Sequence, residues 1–186
     1  MDKLIWLCSD WHFSHNKDFL LNPRGFDNSD EMNEEIVKRH NELVAPDDIV
    51  YCLGDVMLGG DFEKSAEYVK RMNGIKYLAI GNHDTDNKIK MYKEQNLFED
   101  IQFGYRLRYK KKSIVLTHYP TLVENFDSAI KIVNIHGHTH NVASWNPDLP
   151  FCYNVCMEAT NCKPILLDNI LEEFKLCWHW MEEYNS

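Results

Sequence analysis

Short apolar runs and amphipathic stretches alternate along the first half of the chain. The apolar runs predict buried strands, because about four to eight consecutive apolar residues suit a strand that is covered on both faces. These strands fall within Leu4–Asp10, Asp48–Asp55 and Ile75–Asp84. Between them, apolar residues recur at helical spacing over Ser29–Val44 and Phe62–Asn73, which predicts two helices. This strand–helix order is typical of a parallel sheet.

The two predicted helices carry signals at their ends and along one face. Pro46 helps to end the first helix, and Asp61 is expected to cap the second. The face residues are Met32, Ile36, Leu43 and, toward the edge, Arg39 in the first helix, and Phe62, Ala66, Val69 and Met72 in the second. Each set therefore predicts an inward, apolar side.

The pattern changes after Ile101, where strands follow one another directly. The segment from Ile101 to Pro120 has two runs separated by three lysines and predicts a β-hairpin. Two further strands are predicted in KIVNIHGHTH and FCYNVCMEAT, and Asp168 is expected to cap a last helix whose inward face carries Ile170, Phe174, Cys177, Trp178 and Met181. The chain is therefore expected to form an α/β fold with two sheets and helices outside them. Its 186 residues fit a single domain, residues 1–186.

The composition is ordinary for a soluble globular protein, with 44% apolar and 26% charged residues. No apolar run approaches the roughly 18 to 20 residues that span a bilayer, and the first residues lack the apolar region of a secretory signal. We therefore expect a cytoplasmic protein, in the host cytoplasm if a phage encodes it. None of the six cysteines forms a CxxC pair, so we expect reduced thiols and no zinc knuckle.

The charge balance argues against one class of partner. The formal net charge is −9, from 20 basic and 29 acidic residues. Strong non-specific binding to nucleic acid depends on many lysine and arginine contacts with phosphates, so we do not expect it here. The basic run Tyr105–Lys112 could steer a nucleotide, although a solvated hairpin turn is the favoured interpretation. A phosphate-bearing substrate would need a local positive source, and metal ions are the obvious one.

Five predicted strands end in aspartate, asparagine or histidine. These ends are Ser9–His12, Gly54–Asp55, Gly81–Asp84, Thr117–Pro120 and Gly137–His140. Open α/β sheets bind ligands outside the carboxyl ends of their strands, and seven of the nine histidines lie in or beside these turns. Oxygen and imidazole ligands without thiolate suit manganese, zinc or iron. Their number exceeds the needs of one four-coordinate ion, and two ions that share a carboxylate would account for the surplus.

The order of these motifs resembles the calcineurin-like metallophosphoesterase family. That family has DxH, GD, GNH followed by an acid, a lone histidine and GHxH, and this chain carries DWH, GDV, GNHD, THYP and GHTH. The resemblance spans Leu4 to His140 in motif, and the small bacterial and phage members are the most similar. It implies a four-layer α-β-β-α sandwich, in which helices flank two mixed β-sheets. It also implies two divalent metal ions, with manganese as the first choice and zinc, iron, nickel or magnesium as alternatives.

The resemblance implies a role for each matching residue. Asp10, His12 and His140 would bind one metal, Asn82, His118 and His138 would bind the other, and Asp55 would bridge the two. His83 would contact the phosphate or protonate the leaving oxygen. Asp84 would orient His83 and favour its protonated form. A hydroxide between the two ions would attack phosphorus in line with the leaving group.

Three further residues each have two interpretations. His15 could contact the substrate phosphate or be an ordinary loop residue, and Arg24 could clamp the phosphate or lie at the surface. His136 begins the alternating IHGHTH series but has no place among the ligands, so we expect it to be packed in the fold or to lie behind a ligand. The segment is expected to leave strand geometry near Gly137, so that its last two histidines reach different ions.

These inferences predict a hydrolase that acts on a small phosphodiester or phosphomonoester, with a nucleotide-like compound as the expected substrate. A dedicated nucleotide or protein phosphomonoesterase is the alternative. A third hypothesis is a non-catalytic interaction scaffold on the same fold, which the complete ligand set makes remote. No membrane partner is expected, and the sequence does not determine an oligomeric state.

Overall fold

The computed structural model describes residues 3–121, 132–141, 143–145, 149 and 151–174. The strands in these ranges are β1 (Ile5–Cys8), β2 (Ile49–Cys52), β3 (Ile75–Ala79), β4 (Asp100–Gln102), β5 (Gly104–Tyr109), β6 (Lys112–Thr117), β7 (Ile132–His136), β8 (Cys152–Asn154) and β9 (Ile165–Leu166). The helices are α1 (Asp18–Arg24), α2 (Ser29–Asn41), α3 (Phe62–Arg71) and α4 (Asp86–Glu94). The described part of a last helix, α5, covers 167–174.

The first sheet is formed by the apolar runs of the first half of the chain. Its strand order is β4-β3-β2-β1-β9. β1 to β4 run parallel, and β9 pairs antiparallel with β1. Since parallel strands share one direction, the segments that follow β1, β2 and β3 all begin at the same edge of this sheet.

The second sheet has the strand order β5-β6-β7-β8. β5 and β6 form the predicted hairpin, with Lys110 and Lys111 in the left-handed conformation at its turn. Lys110 also forms an ion pair of 2.7 Å with Asp168. β6, β7 and β8 run parallel, so the segments after β6 and β7 also begin at a common edge.

Two apolar cores hold the layers together. In the first, Ile36 of α2 and Val69 of α3 belong to one buried cluster with Trp6 of β1 and Val50 of β2. The second core joins the two sheets: Leu7, Leu53 and Ala79 lie with Ile114, Leu116, Val133 and Ile135, and α5 adds Leu167, Ile170 and Phe174. The predicted α/β architecture, with two mixed sheets and helices, is confirmed.

Most helix signals have the expected effect. α2 begins at Ser29 as predicted, and the Asn28 side chain before it accepts a hydrogen bond from the Glu31 backbone N–H. Asp61 caps α3 as predicted and accepts hydrogen bonds from two backbone N–H groups. The described cysteines are all buried and free, in agreement with the expected reduced thiols.

Some details of the predicted helix faces are wrong. Phe62 and Leu43 are 40% and 42% exposed, because Phe62 is the first residue of α3 and Leu43 lies beyond the last residue of α2. Asp168 lies within α5 and pairs with Lys110, so it does not cap that helix. Three residues of the expected last helix, Cys177, Trp178 and Met181, lie outside the described residues.

His40 is a buried titratable residue of α2 that lies away from the strand ends. Nε2 of His40 lies 2.9 Å from the Asn73 carbonyl oxygen. This nitrogen donates the hydrogen bond, because a carbonyl oxygen can only accept one. Burial lowers the pKa of His40 from 6.5 to about 4, although the bond to Asn73 opposes this shift. Between these two pH values the unfolded chain binds more protons than the folded protein. The free energy of unfolding therefore falls as the pH drops through this range.

We expect His40→Gln to remove this part of the pH dependence, since glutamine can donate to the Asn73 carbonyl but does not titrate. Between pH 7 and pH 4, the wild-type protein should lose on the order of 3 kcal/mol more unfolding free energy than the variant. Urea denaturation of both proteins, with a chelator present, measures the difference. Equal losses in the two proteins would contradict the expectation.

Candidate active site

The carboxyl ends of β1, β2, β3, β6 and β7 supply one cluster of polar side chains. Each predicted ligand lies in the segment that follows one of these strands. The residues are Asp10 and His12 after β1, Asp55 after β2, Asn82 after β3, His118 after β6, and His138 and His140 after β7. Contacts between them cross from one sheet to the other, so the cluster draws on both sheets.

Five of these residues have a left-handed backbone. Their φ angles are 59° at Asp10, 50° at His12, 57° at Asp55, 70° at His138 and 50° at His140. Residues with a Cβ seldom adopt this conformation, and each such position costs on the order of 1–3 kcal/mol. Backbone hydrogen bonds between the segments hold two of these positions: Asp10 N–H donates to the Gly54 carbonyl and His12 N–H to the Asp55 carbonyl. The side chains are thus turned away from regular strand directions.

Two glycines allow the segments to approach the carboxylates closely. A Cβ at Gly81 would overlap Oδ1 of Asp55. A Cβ at Gly137 would overlap Oγ of Ser9 and lie 2.5 Å from Oδ2 of Asp10. The GNH and GHTH motifs therefore need glycine for a steric reason, because there is no room for a side chain at these two contacts.

The first ligand cluster consists of Asp10, His12 and His140 and can hold a metal ion by its geometry. Nε2 of His12 lies 3.2 Å from Nε2 of His140. Oδ1 of Asp10 lies 3.7 Å from the first nitrogen and 3.4 Å from the second. Burial, together with the nearby charge of Arg24, lowers the pKa of His12 far below its usual range, so this imidazole is neutral.

The second cluster lies around Asn82 and His118. Nδ1 of His118 donates to the Leu53 carbonyl at 2.7 Å, which leaves a lone pair on Nε2. That Nε2 lies 2.8 Å from Oδ1 of Asn82, and Nδ1 of His138 lies 3.0 Å from the same oxygen. A lone pair that faces an amide oxygen at such a distance is unfavourable alone, and a cation between them makes it favourable.

Both carboxylates present one oxygen to donors and the other to imidazoles. Oδ2 of Asp10 accepts from the His138 backbone N–H and from the Cys156 thiol, while Oδ1 has no hydrogen-bond partner although it is buried. Oδ1 of Asp55 accepts from the His83 backbone N–H at 2.8 Å. Its Oδ2 lies 3.7 Å from Nε2 of His12 and 3.5 Å from Nε2 of His118.

This arrangement fits divalent cations. Burial raises the pKa of the Asp55 carboxyl, and a cation beside it would lower that pKa. A cation would also satisfy the buried Asp10 oxygen that has no hydrogen-bond partner. Imidazole nitrogens with a free lone pair and carboxylate or amide oxygens are ligands for manganese, zinc or iron. The Cys156 thiol beside the first cluster donates to Oδ2 of Asp10, and burial raises its pKa, so it is a thiol and not a thiolate.

His83 lies beside the clusters rather than in them. Its side chain is 41% exposed, and Nε2 lies 4.0 Å from Oδ2 of Asp55. Its ring centroid is 5.5 Å from that of His12. The imidazole can therefore reach a molecule in front of the clusters, while its backbone N–H supports Asp55.

Asp84 has a different environment from the one expected. We expected it to orient the His83 side chain, but its Oδ2 accepts from the backbone N–H groups of Asp55 and Gly81 at 2.9 Å each. Its Oδ1 accepts from Val56 N–H and from the Tyr92 hydroxyl. Asp84 is 3% exposed and thus fixes the segment that carries Asp55.

The position of Arg24 matches neither of its two interpretations, a phosphate clamp or a surface residue. Its side chain is fully buried, and the guanidinium donates to the carbonyl oxygens of Asp10 and Trp11 and to Glu158. Glu158 in turn lies 3.0 Å from Nδ1 of His140. Burial would raise the pKa of Glu158, but the bonds from His140 and Arg24 outweigh it and lower this pKa to about 2.

Glu158 lies outside the five strand-end motifs. Its signal in the sequence is that it is the only charged residue in the stretch from Phe151 to Asn161. A lone carboxylate in such a stretch is either exposed or paired, and its partner Arg24 lies 134 positions earlier. Only the folded structure pairs them.

His136 lies behind the segment that carries the ligands, and His15 lies beside the first cluster. His136 is buried, and its Nδ1 donates to the Gly137 carbonyl at 2.8 Å, so it packs behind the loop. β7 ends at His136, and His138 has the left-handed backbone noted above. The His15 ring lies against those of His12 and Phe19, with centroid separations of 5.7 Å and 5.4 Å. It is therefore close enough to the first cluster to face a substrate.

The strand ends, the two carboxylates and the order of the histidines define a class of protein. The chain belongs to the calcineurin-like phosphoesterases, whose family model matches residues 3–183. It is therefore a hydrolase of phosphoester bonds. The resemblance that the motifs indicated is confirmed over nearly the whole chain.

Individual relatives match most of the chain. An uncharacterized protein of Methanocaldococcus jannaschii is 34% identical over 180 residues, which cover 90% of this chain and 89% of that protein. The gene 66 protein of Mycobacterium phage D29 is 25% identical over 161 residues, covering 74% and 78%. A solved structure of a protein of unknown function from Aquifex aeolicus has a TM-score of 0.70 at 25% identity, covering 92% of this chain and 99% of that one.

Within the described ranges, no helix combines the length and the apolar character that crossing a bilayer requires.

Proposed function

We propose that this protein hydrolyses a small phosphodiester or phosphomonoester, nucleotide-like in character, at a site for two divalent metal ions. The observation that carries the proposal is the position of one oxygen. Oδ2 of Asp55 lies 3.7 Å from Nε2 of His12 in the first cluster and 3.5 Å from Nε2 of His118 in the second. A carboxylate oxygen shared in this way is what a bridging ligand requires.

Each cluster would hold one ion in this proposal. Asp10, His12 and His140 would bind the first, and Asn82, His118 and His138 would bind the second. When bound, the two ions would supply Lewis acidity toward the phosphoryl oxygens and water that ionises near neutral pH. Manganese is the proposed metal, since oxygen and imidazole donors suit it, with zinc, iron, nickel or magnesium as alternatives.

The protein side chains around the clusters would act on the substrate. His83 would donate a proton to the leaving oxygen or hold the phosphate, because its partly exposed ring stands in front of Asp55. His15 would contact the phosphate from the side of His12. Asp84 would act by holding the backbone of Asp55, and Arg24 by holding that of Asp10.

The charge of the site supports an anionic substrate. Two divalent ions against two ligand carboxylates leave a net positive centre, although the chain as a whole carries a formal charge of −9. We also propose that residues 1–186 form one domain and that the protein works in a reducing cytoplasm, in agreement with the buried free cysteines among the described residues.

The first test is hydrolysis of a chromogenic diester in the presence of metal. We expect the purified protein with Mn²⁺ to release p-nitrophenol from bis-p-nitrophenyl phosphate, and a chelator to stop the release until Mn²⁺ is returned. A panel of cyclic nucleotides, dinucleotides and nucleoside monophosphates then identifies the preferred ester. Exclusive hydrolysis of monophosphates would favour a dedicated phosphomonoesterase. Binding of two ions without hydrolysis of any ester would contradict the proposal and favour a non-catalytic scaffold.

A further inference from the structure

A buried ion pair between Arg24 and Glu158, neither of which is a candidate ligand, contacts the first cluster. Oε1 of Glu158 accepts from Nε of Arg24 at 2.8 Å, and the two side chains are 3% and 0% exposed. The same oxygen lies 3.0 Å from Nδ1 of His140. One carboxylate oxygen thus contacts both a guanidinium and a candidate metal ligand.

The contact determines which nitrogen of His140 faces the cluster. A carboxylate that is paired with a buried guanidinium is ionised and can only accept, so Nδ1 of His140 carries the hydrogen. In the neutral imidazole, which is the form that binds a metal ion, Nε2 then keeps its lone pair. This Nε2 is the atom that lies 3.2 Å from Nε2 of His12 and 3.4 Å from Oδ1 of Asp10.

His140 needs such support more than His12, the other histidine of the first cluster. It follows β7 by four residues, its backbone is left-handed, and its side chain is 35% exposed, whereas that of His12 is 2% exposed. The His12 ring is held by burial, and its Nδ1 has no hydrogen-bond partner. The ring of His140 could turn toward solvent, and its bond to Glu158 opposes that rotation.

Arg24 connects this support to the other side of the cluster. Its guanidinium donates to the Asp10 carbonyl at 2.8 Å and to the Trp11 carbonyl at 3.0 Å. A single cation therefore fixes the backbone that carries Asp10 and, through Glu158, the ring of His140. The pair adds no net charge to the site, because the positive and negative charges are adjacent.

We propose that Glu158 is a positioning residue that orients His140 toward the first metal ion, and that Arg24 holds Glu158 for this purpose. The proposal rests on the proposed function, because it assumes that this cluster binds metal. Groups that hold a metal-bound histidine by its second nitrogen typically change metal affinity about 10-fold to 100-fold when they are removed. The effect is expected at one of the two ions only.

The test compares Glu158→Gln with Glu35→Gln as a matched control. Glu35 also pairs with the Nε of an arginine, Arg39, at 2.8 Å, but contacts no candidate ligand. Isothermal titration of each 186-residue protein with Mn²⁺ measures both binding constants. We expect E158Q to weaken one site about 10-fold to 100-fold and leave the other within about twofold, while E35Q changes neither.

A second measurement reads the orientation of His140 without metal. Nitrogen NMR of the chelator-treated protein distinguishes the two neutral tautomers, and we expect His140 to carry its hydrogen on Nδ1 in the wild type and to lose this preference in E158Q. If E158Q does not fold, Glu158→Asp replaces it, since aspartate keeps a charge for Arg24 but withdraws the oxygen from His140. The same selective loss is expected.

Several outcomes would overturn the inference. Unchanged affinity at both sites in a folded Glu158 variant would do so, as would an equal loss at both sites or a wild-type His140 with its hydrogen on Nε2. Failure of the proposed function is distinguishable from these outcomes. In that case the wild-type protein itself would bind no Mn²⁺ at the clusters or hydrolyse no ester.

Discussion

Replacing Asp55 by asparagine is expected to reduce the number of bound Mn²⁺ ions from two to one or none and to lower the rate of ester hydrolysis by roughly 10³-fold or more. The physical reason is the position of Oδ2 between His12 and His118, which asparagine replaces with an uncharged group. The backbone should remain in place, because an asparagine oxygen can still accept from the His83 N–H that Asp55 Oδ1 binds. Metal analysis after dialysis, together with steady-state kinetics, measures both effects.

Asp30→Asn is the matched control for this variant. Asp30 forms an exposed ion pair with Lys64 and contacts no candidate ligand, so its loss should change neither metal content nor rate. A D55N protein that holds two ions and retains the wild-type rate would show that Asp55 does not bridge the clusters.

Replacing His83 by alanine is expected to leave both metal ions bound and to lower the turnover number by about 10²-fold to 10⁴-fold, the range for loss of a general acid. The variant should fold and bind metal, because only the backbone N–H of His83 contacts Asp55 closely and alanine retains that group. Metal content, KM and kcat are measured on the same preparation.

The leaving group distinguishes proton donation from phosphate binding at His83. p-Nitrophenolate leaves without protonation, whereas an alkoxide needs a proton, so H83A should lose much more rate on an alkyl or nucleoside ester than on a p-nitrophenyl ester. An equal loss on both substrates, with a higher KM, would assign His83 to phosphate binding. Loss of a metal ion from H83A would contradict its placement outside the ligand set.

Much of the fold could be predicted because local signals agree with the tertiary structure. Ser29 and Asp61 lie where helix-start signals indicate, and both apolar runs before Asp10 and Asp55 form parallel strands. Parallel strands also make the position of the candidate ligands predictable. Since their carboxyl ends share one edge, residues far apart in sequence converge without any knowledge of loop geometry.

The contacts of Asp84, Arg24 and Glu158 could not be predicted in the same way. Motif spacing places Asp84 beside His83, but the backbone turns its side chain toward the N–H groups of Asp55 and Gly81. Arg24 lies in α1, a short helix that contains Pro23 and has little periodicity to reveal it. Its burial depends on Glu158, and a pairing over such a separation in sequence leaves no local pattern.

The left-handed backbone at five candidate ligands would make the stability of the folded protein depend on the concentration of metal ions. Such positions cost on the order of 1–3 kcal/mol each, while a whole domain is stable by only about 5–15 kcal/mol. An ion that binds the folded state alone offsets this strain, by about 2.7 kcal/mol when its free concentration is 100 times its dissociation constant. Cells that are short of the metal would therefore hold a chain that opens more often and is degraded faster by proteases. The concentration of the metal would set the amount of this enzyme as well as its activity.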